Sequence, residues 1–466
     1  KKPRRFFVAA RTTDGKVLKL KYRKLDENRI RGSNPLDTAV TLKLTVTPRE
    51  PLDNQPWYST AQHVARMLMM VRTVSISYRN QYALSLPGFL PTVGDAFGQS
   101  RGMGLLAPGL NFAFGMVDDN YIGKARDNGW LLMNDSVATP ATTNRTEDVQ
   151  IRLTLEPIRN LKIDLNASRT ETRARSIQYM YTGTPTTQSG TFTMTTLSLR
   201  SAFEGVGDAR SGYRSASFER FCNALDGFRT RVESQYAGAR YPQGSALAGN
   251  VFNPANGGVN RYSADVMVPA FLSTYTGMGG NGLSIFPSLS RLLPNWTVRY
   301  SGLVELPWFR DVFKSINLNH AYKSIYAVGS YGSYSTYMEY MNGLGFVTDA
   351  TTGNPVPSSM YNVSQVSINE AFSPLLGIDM TFLNNLSCKL EYRTTRVLSL
   401  SMTSIQINEA TSRDWVVGMG YRINDVNLFG NGGKRRAKGN KKMTTDAPTA
   451  ASSAATNTRG LRMNHD

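Results

Sequence analysis

The feature that most limits the fold of this sequence is an alternation of apolar and polar residues with a period of two. It is clearest over residues 149–169, where every second residue is apolar on either side of a short connection at Pro157–Asn160. Successive side chains of a β-strand point to opposite faces, so this period places the apolar side chains on one face. Two such runs with a short connection between them predict an antiparallel hairpin.

The same alternation predicts further strands along the chain. They are Val40–Thr47, Val74–Tyr78, Trp296–Tyr300, Ile316–Tyr322, Ile378–Phe382, Leu386–Met402 and Trp415–Tyr421. An Asn384-Asn385 turn is predicted before Leu386–Met402, a run that keeps one phase throughout. At roughly 3.3 Å per residue that run spans more than about 50 Å. A bilayer-crossing strand needs only about 9–11 residues, so we expect this strand to project beyond a membrane.

Two segments have the apolar spacing of short amphipathic helices, namely Ser59–Met70 and Ser217–Ser234. Cys222 lies on the apolar side of the second, which predicts a buried, inert thiol. Stretches rich in Gly, Pro, Asn and Ser at 85–130, 240–294 and 340–364 predict long loops. Short turns at one end of the strands and long loops at the other are typical of an outer-membrane barrel.

A soluble β-sandwich also alternates, so the period alone leaves both folds open. The polar positions are rich in Thr, Ser, Arg, Lys and Asn, which suits a wet lumen. Tyrosines outnumber phenylalanines, 22 to 20, and many lie near predicted strand ends, where interfacial aromatic residues occur. These are Tyr78, Tyr82, Tyr300, Tyr322, Tyr326, Tyr392 and Tyr421. Together these features favour a membrane barrel.

Charge and composition exclude several classes of function. The formal net charge is +19, but residues 1–31 carry +9 of it and residues 432–466 carry +6. A nucleic-acid groove would spread basic charge through the folded body, so we expect no nucleic-acid partner. The chain has 2 cysteines and 3 histidines, too few for a disulfide framework or a zinc cluster. We therefore predict no enzyme, no catalytic or metal-ligating residues and no cofactor.

Six segments, taken in order, resemble the SprA/Sov family, the outer-membrane translocon of the type IX secretion system of Bacteroidota. They are Ser85–Gly94, Ala107–Gly115, Leu155–Arg169, Leu293–Trp308, Phe313–Tyr331 and Ile368–Tyr421. The resemblance covers about residues 40–430. Its signature residues are Leu86, Pro87, Gly88, Phe89, Pro91, Gly94, Pro108, Gly109, Phe114, Gly115, Trp296, Pro307, Trp308, His320 and Tyr322.

The alternation predicts an all-β fold of about a dozen strands, mostly antiparallel neighbours. The resemblance implies that they form an antiparallel transmembrane β-barrel segment with long loops and short helices. This segment would supply about a dozen strands of a much larger barrel, the family's C-terminal portion. We expect a basic N-terminal segment of a truncated chain at 1–39, the barrel portion at 40–430, and a truncated basic loop and low-complexity tail at 431–466.

The implied function is a channel that passes folded cargo proteins through the outer membrane, with loops exposed at the cell surface. The implied partners are cargo with type IX C-terminal signals, a PorV-type barrel, a periplasmic plug protein and outer-membrane lipid. We expect the loops at 85–130 and 240–294 to cap or gate the pore. The alternatives are a nutrient transporter barrel of the TonB-dependent type and a non-channel surface β protein.

Overall fold

The computed structural model describes much of the chain up to residue 422. The described residues are 3–12, 14, 16–19, 21–25, 29–33, 40–48, 69–92, 94–100, 106–118, 120–134, 139–180, 186–205, 207, 209–210, 212, 214–279, 283–341 and 344–422. They belong to one compact unit, Lys1–Arg422, and the second unit, Ile423–Asp466, lies outside them with the predicted tail. The described chain is mostly antiparallel β-sheet with a few short helices, which confirms the all-β prediction.

Seventeen strands are present in the described residues. They are β1 (Pro3–Thr12), β2 (Val17–Lys19), β3 (Tyr22–Lys24), β4 (Ile30–Gly32), β5 (Val40–Pro48), β6 (Val71–Ser85), β7 (Ala141–Ile158), β8 (Leu161–Ile177), β9 (Thr187–Thr195), β10 (Asn295–Tyr300), β11 (Phe313–Ser333), β12 (Met338–Met341), β13 (Leu344–Thr348), β14 (Pro355–Ser358), β15 (Tyr361–Phe382), β16 (Leu386–Ser401) and β17 (Gln406–Tyr421). The main sheet has nine strands, eight of them in the order β17-β16-β15-β11-β10-β8-β7-β6.

Short turns connect the long hairpins as the sequence predicts. β7 and β8 pair through Ile151↔Ala167 and end at a turn in which Asn160 has a φ of 66°. β15 and β16 end at a turn in which Asn385 has a φ of 63°. Asn tolerates this left-handed conformation better than most residues, so it suits both turns.

β9 and β10 lie end to end in one strand position of the main sheet, between β8 and β11. β8 pairs with β10 through Leu161–Asn166 and then with β9 through Arg169–Ser176. On the other side, β11 pairs with β10 and then with β9. The segment 196–294 is therefore inserted into the middle of a single strand position, and we call it the insertion.

Six α-helices are present in the described residues. They are α1 (Leu110–Ala113), α2 (Tyr121–Asp127), α3 (Leu199–Ala202), α4 (Ala216–Gln235), α5 (Ala264–Thr276) and α6 (Pro307–Arg310). Single turns of 3₁₀ helix occur at Pro254–Asn256, Leu289–Arg291 and Gly302–Glu305. Among the described residues, no helix has the length and apolar character needed to span a bilayer.

The helix predicted at Ser217–Ser234 is confirmed as α4, whose first turn is capped by the Ser215 hydroxyl. Cys222 is only partly buried, against the core of the insertion. The helix predicted at 59–70 lies outside the described residues except for Met69 and Met70, which are helical.

The three predicted loops contain regular structure. α5 lies within 240–294. It has no amphipathic period because most of its residues are buried, and Pro269 is atypical of a helix interior. α1 and α2 lie within 85–130. The stretch 340–364 contains β13, β14 and the start of β15, with β12, β13 and β14 forming a small sheet.

The predicted division at residue 40 separates strands that pair with each other. β5, expected to begin the barrel portion, pairs with β1 from Thr12↔Val40 to Pro3↔Pro48. Together with β2 they form a three-stranded sheet, and β3 pairs with β4. The basic N-terminal segment therefore contributes strands of its own.

Candidate functional site

The lower half of the main sheet, toward its short turns, has one face of aligned apolar side chains. The register places these residues side by side across eight strands, as in Ile378↔Leu390 and Leu390↔Val417. We call them the apolar band. Its members are Val74, Ile76, Tyr78, Val149, Ile151, Leu153, Leu155, Leu161, Ile163, Leu165, Ala167, Trp296, Val298, Tyr300, Ile316, Leu318, His320, Tyr322, Phe372, Leu376, Ile378, Met380, Leu386, Cys388, Leu390, Tyr392, Trp415, Val417, Met419 and Tyr421.

Most of the apolar band is exposed or half-buried. On the outer strands, Ile76 is 70% exposed and Met419 is 73% exposed. Ile316, Ala167, Tyr322 and Phe372 are the buried members. An exposed apolar surface that crosses a whole sheet is rare in water and indicates contact with lipid or another apolar surface.

A row of aromatic rings marks the upper limit of the apolar band. Trp296 stacks on Tyr322 with ring centroids 4.5 Å apart, and Tyr322 lies 4.9 Å from Phe372. Tyr392 and Trp415 continue the row at 4.7 Å. Of the tyrosines predicted at strand ends, Tyr322 and Tyr326 lie in the interior of β11, which is much longer than predicted. Tyr392 lies in the interior of β16. We call this set of rings the aromatic row.

The opposite face of the main sheet is polar, with many small side chains. Its charged groups are balanced locally: Lys389 Nζ lies 2.7 Å from Glu391, and Lys162 Nζ lies 3.2 Å from Asp164. Asn319 donates a 2.6 Å hydrogen bond to Asp379 across two strands. This polar face provides donors and acceptors for water along the whole sheet.

A buried polar cluster lies just above the aromatic row, on the same side as the apolar band. The Ser198 hydroxyl donates to Glu370 Oε1 at 2.6 Å, and Tyr322 OH donates to the same oxygen at 2.9 Å. Arg396 Nε donates to Glu370 Oε2 at 3.0 Å and its Nη2 donates to Ser201 Oγ at 2.8 Å. The cluster therefore fixes the start of the insertion to β11, β15 and β16.

This cluster corrects the prediction of an unbroken apolar phase from Leu386 to Met402. Thr394 and Arg396 occupy that phase. These two residues divide the apolar alternation of β16. Its lower part belongs to the apolar band, and its upper part, Leu398 and Leu400, is buried under the insertion. The interruption was visible in the sequence, although the partner Glu370 was not predicted.

The insertion packs its helices on the apolar side of the main sheet. Its core joins α4 and α5 to sheet residues such as Tyr326, Ile368 and Leu398, which are all fully buried. The segment 240–294, which was expected to cap or gate a pore, therefore packs against the apolar side rather than across the polar face.

Asp265 lies at the start of α5, where its carboxylate accepts hydrogen bonds from Ser359. Burial nevertheless raises the pKa of Asp265 from 3.8 to about 6. Tyr236, Tyr334 and Tyr337 lie near this carboxylate, and burial also raises their pKa values, that of Tyr337 to about 12. Asp265 is therefore the group here that titrates below neutral pH.

The signature residues of the first two segments meet in one small loop module around α2. Pro87 O accepts from Tyr179 OH at 2.8 Å, and Pro108 O accepts from Tyr121 OH at 2.7 Å. Burial raises the pKa of Tyr121 to about 12. Leu86 and Phe89 pack against the module's core, and Pro91 lines an apolar cavity of about 400 Å³.

Glycines make the backbone of this loop module possible. Gly88, Gly109 and Gly115 have φ values of 72°, 93° and 68°, which favour glycine. A Cβ on Gly94 would collide with the carbonyl oxygen of Gln99. Phe114, in contrast, is 60% exposed.

The remaining signature residues lie elsewhere on the sheet. Trp296, His320 and Tyr322 meet at the aromatic row, where His320 Nδ1 lies 2.7 Å from Leu375 O. The half-buried His320 ring packs beside Trp296 and Phe372. Pro307 begins α6 at the short-turn end, beside Trp308, which is 88% exposed.

No group of three His, Cys, Asp or Glu side chains in the described part of the chain could hold a metal ion. Cys222 and Cys388 are free thiols. No protein-family model matches the chain, and no curated protein matches it.

Proposed function

We propose that this chain forms part of a large outer-membrane β-barrel channel that passes folded proteins to the cell surface, as in the SprA/Sov translocon. The observation that carries the proposal is the two-faced main sheet. Its apolar band suits lipid, and its polar face suits a water-filled lumen. A channel wall needs no catalytic centre, because its function follows from its dimensions.

The length of the apolar band along its strands supports a main sheet that spans the bilayer. From Leu386 to Tyr392 the band covers about seven residues, or roughly 23 Å along the strand. Outer-membrane barrels have an apolar band of about 25 Å, bordered by aromatic residues. The aromatic row is one such border, and Tyr300, Phe313, Phe382 and Tyr421 suit the other.

The connections support an orientation. At the lower end, β7–β8 and β15–β16 are joined through 159–160 and 383–385, and β10–β11 through 301–312. At the upper end, the connections 86–140 and 334–360 are much longer, while 178–186 and 402–405 are short. The insertion leaves the sheet midway along its strand position. Outer-membrane barrels have short periplasmic turns and long external loops, so the upper end faces the cell exterior in our proposal.

The outer strands favour a larger barrel. In the described part of the chain, β6 and β17 each pair on one side only. Unpaired strand edges are unfavourable in hydrocarbon, so we propose that these edges pair with further strands. Barrel diameter grows with strand number, and only a very large barrel admits a folded protein. Cargo with type IX signals, a PorV-type barrel and a periplasmic plug are the proposed partners, on the strength of the resemblance.

Depletion of the full-length protein in its native host tests this function. We expect proteins with type IX C-terminal signals to accumulate, folded, in the periplasm, as measured by quantitative proteomics of each compartment. Cargo that still reached the surface while uptake of a nutrient was lost would reject the translocon and favour a transporter. A protein released from membranes by carbonate would reject both.

A further inference from the structure

A cavity of about 510 Å³ lies at the upper edge of the apolar band, beneath the start of the insertion. Its walls come from β15, β16 and β17 and from the chain just after α3. It opens on the apolar side of the sheet, level with the aromatic row. In the proposed membrane orientation, this is the height at which lipid headgroups meet acyl chains.

The lower wall of this cavity is apolar. Phe203 packs on Phe372 with ring centroids 5.4 Å apart, and Tyr392 lies beside them. Phe203 is nevertheless 70% exposed, and Leu199, one turn earlier, is 38% exposed. An exposed Phe beside an aromatic row is typical of a side chain at a membrane interface, so this wall continues the apolar band.

The upper wall is charged, and its charges nearly cancel. Glu204 lies 2.6 Å from Arg220, and Glu370 lies 2.9 Å from Arg396. Glu409 is only loosely paired, 3.7 Å from the same Arg396. Arg413, on the same face of β17, forms no ion pair with any described residue.

A net-neutral wall with one available cation and one loosely paired carboxylate matches a headgroup that carries both charges. We propose that this cavity binds a zwitterionic glycerophospholipid, with its phosphate at Arg413, its ammonium at Glu409 and one acyl chain against Phe203. The inference rests on the proposed function, because it needs the apolar band to face lipid. A headgroup that carried only negative charge would lie against the Glu409 carboxylate, so this pair of charged side chains favours the zwitterionic headgroup.

Such a lipid would have a structural role at the interface. Arg413 would gain a charge-assisted bond to phosphate, which is stronger than a neutral hydrogen bond. The acyl chain would fill the space below Phe203, so that the insertion rests on the membrane surface as well as on the sheet. The lipid is thus a specific partner of the upper edge of the apolar band.

Native mass spectrometry of the full-length protein, extracted from outer membranes in mild detergent, tests the proposal with phosphatidylethanolamine as the probe. We expect wild type and Arg413→Lys to retain phosphatidylethanolamine. Arg413→Gln and Phe203→Ser should each reduce its retention about tenfold, the effect of losing one charge-assisted or apolar contact. Arg152→Gln, on the polar face of β7, is the matched control and should retain it fully.

Glu409→Gln tests the headgroup separately. It should lower retention of phosphatidylethanolamine but not of phosphatidylglycerol, which lacks the ammonium. Two results would overturn this site: unchanged retention of phosphatidylethanolamine in Arg413→Gln, or lipopolysaccharide bound in place of phospholipid. In either case, a protein that resists carbonate extraction would leave the proposed function intact. Release of the wild-type protein by carbonate would overturn the proposed function and this site with it.

Discussion

Arg396 and Glu370 lie directly opposite each other on β16 and β15, with Arg396 Nε 3.0 Å from Glu370 Oε2. Their side chains are only 6% and 2% exposed. Glu370 also accepts hydrogen bonds from Ser198 and Tyr322. This ion pair therefore joins two strands of the main sheet to the start of the insertion.

We expect Arg396→Met to destabilise the protein by about 3 kcal/mol, because it leaves Glu370 buried without its cationic partner. The double variant Arg396→Met/Glu370→Leu should recover most of this loss, since it removes both charges. The measurement is the free energy of unfolding in urea, in detergent micelles. Limited proteolysis should also cut the insertion faster in the single variant.

Arg393→Met is the control, because Arg393 pairs with Glu391 on the opposite face of β16 and is 39% exposed. Glu391 is only 6% exposed, but it keeps Lys389 Nζ as a partner at 2.7 Å when Arg393 is replaced, so this variant should remain close to wild type. Equal losses in Arg393→Met and Arg396→Met would contradict the role of the buried pair.

The alternation of apolar residues was enough to predict the β7–β8 hairpin, the β15–β16 turn and the two faces of the sheet. A side-chain period of two follows from strand geometry alone, so any strand with two different environments carries this signal. It was also enough for α4, which has one apolar side. The strands β11 and β15 were predicted only in part, because they change environment along their length.

The insertion was not predictable in the same way. α5 is buried on most sides, so its sequence has no period that separates it from a loop or a strand. The polar cluster brings together Ser198, Glu370 and Arg396, which are far apart in sequence. Of these three residues, only Arg396 can be noticed in the sequence itself, because it is a charged residue within an otherwise apolar alternation.

Gly190 on β9 is expected not to tolerate a side chain. A Cβ there would meet the Thr172 carbonyl oxygen and lie 2.6 Å from Tyr331 OH. Gly190→Ala should therefore cost about 1–3 kcal/mol through overpacking. Gly329→Ala on β11 is the matched control, because no atom lies within 4 Å of its added Cβ. Urea unfolding of both variants measures the difference, and equal stabilities would contradict the close packing of Tyr331 on Gly190.

Asp265 should make stability depend on pH. Its pKa is raised from 3.8 to about 6 in the folded state, so the folded protein holds this proton more tightly than the unfolded chain does. Stability should therefore fall as pH rises from about 4 to 6, by about 3 kcal/mol in total, and then level off. Asp265→Asn removes the titration and keeps an acceptor for Ser359.

We expect Asp265→Asn to gain stability relative to wild type as pH rises through this range. The difference in urea unfolding free energy between the two proteins, measured at pH 4.5 and at pH 7.5, checks this. Asp349→Asn serves as a control, because Asp349 is held by Thr351 and Thr352 with a lowered pKa. A difference between Asp265→Asn and wild type that is the same at both pH values would contradict the prediction.

The two faces of β16 should differ in access to water when the protein is embedded in lipid. Ser387 lies on the polar face and Leu390 lies in the apolar band, three residues away on the same strand. In nanodiscs, with Cys222 and Cys388 replaced, a membrane-impermeant maleimide should label Ser387→Cys at least about tenfold faster than Leu390→Cys, because thiols react as thiolates in water. In detergent-free denaturant both should react alike. Equal labelling in nanodiscs would mean that the apolar band does not face lipid.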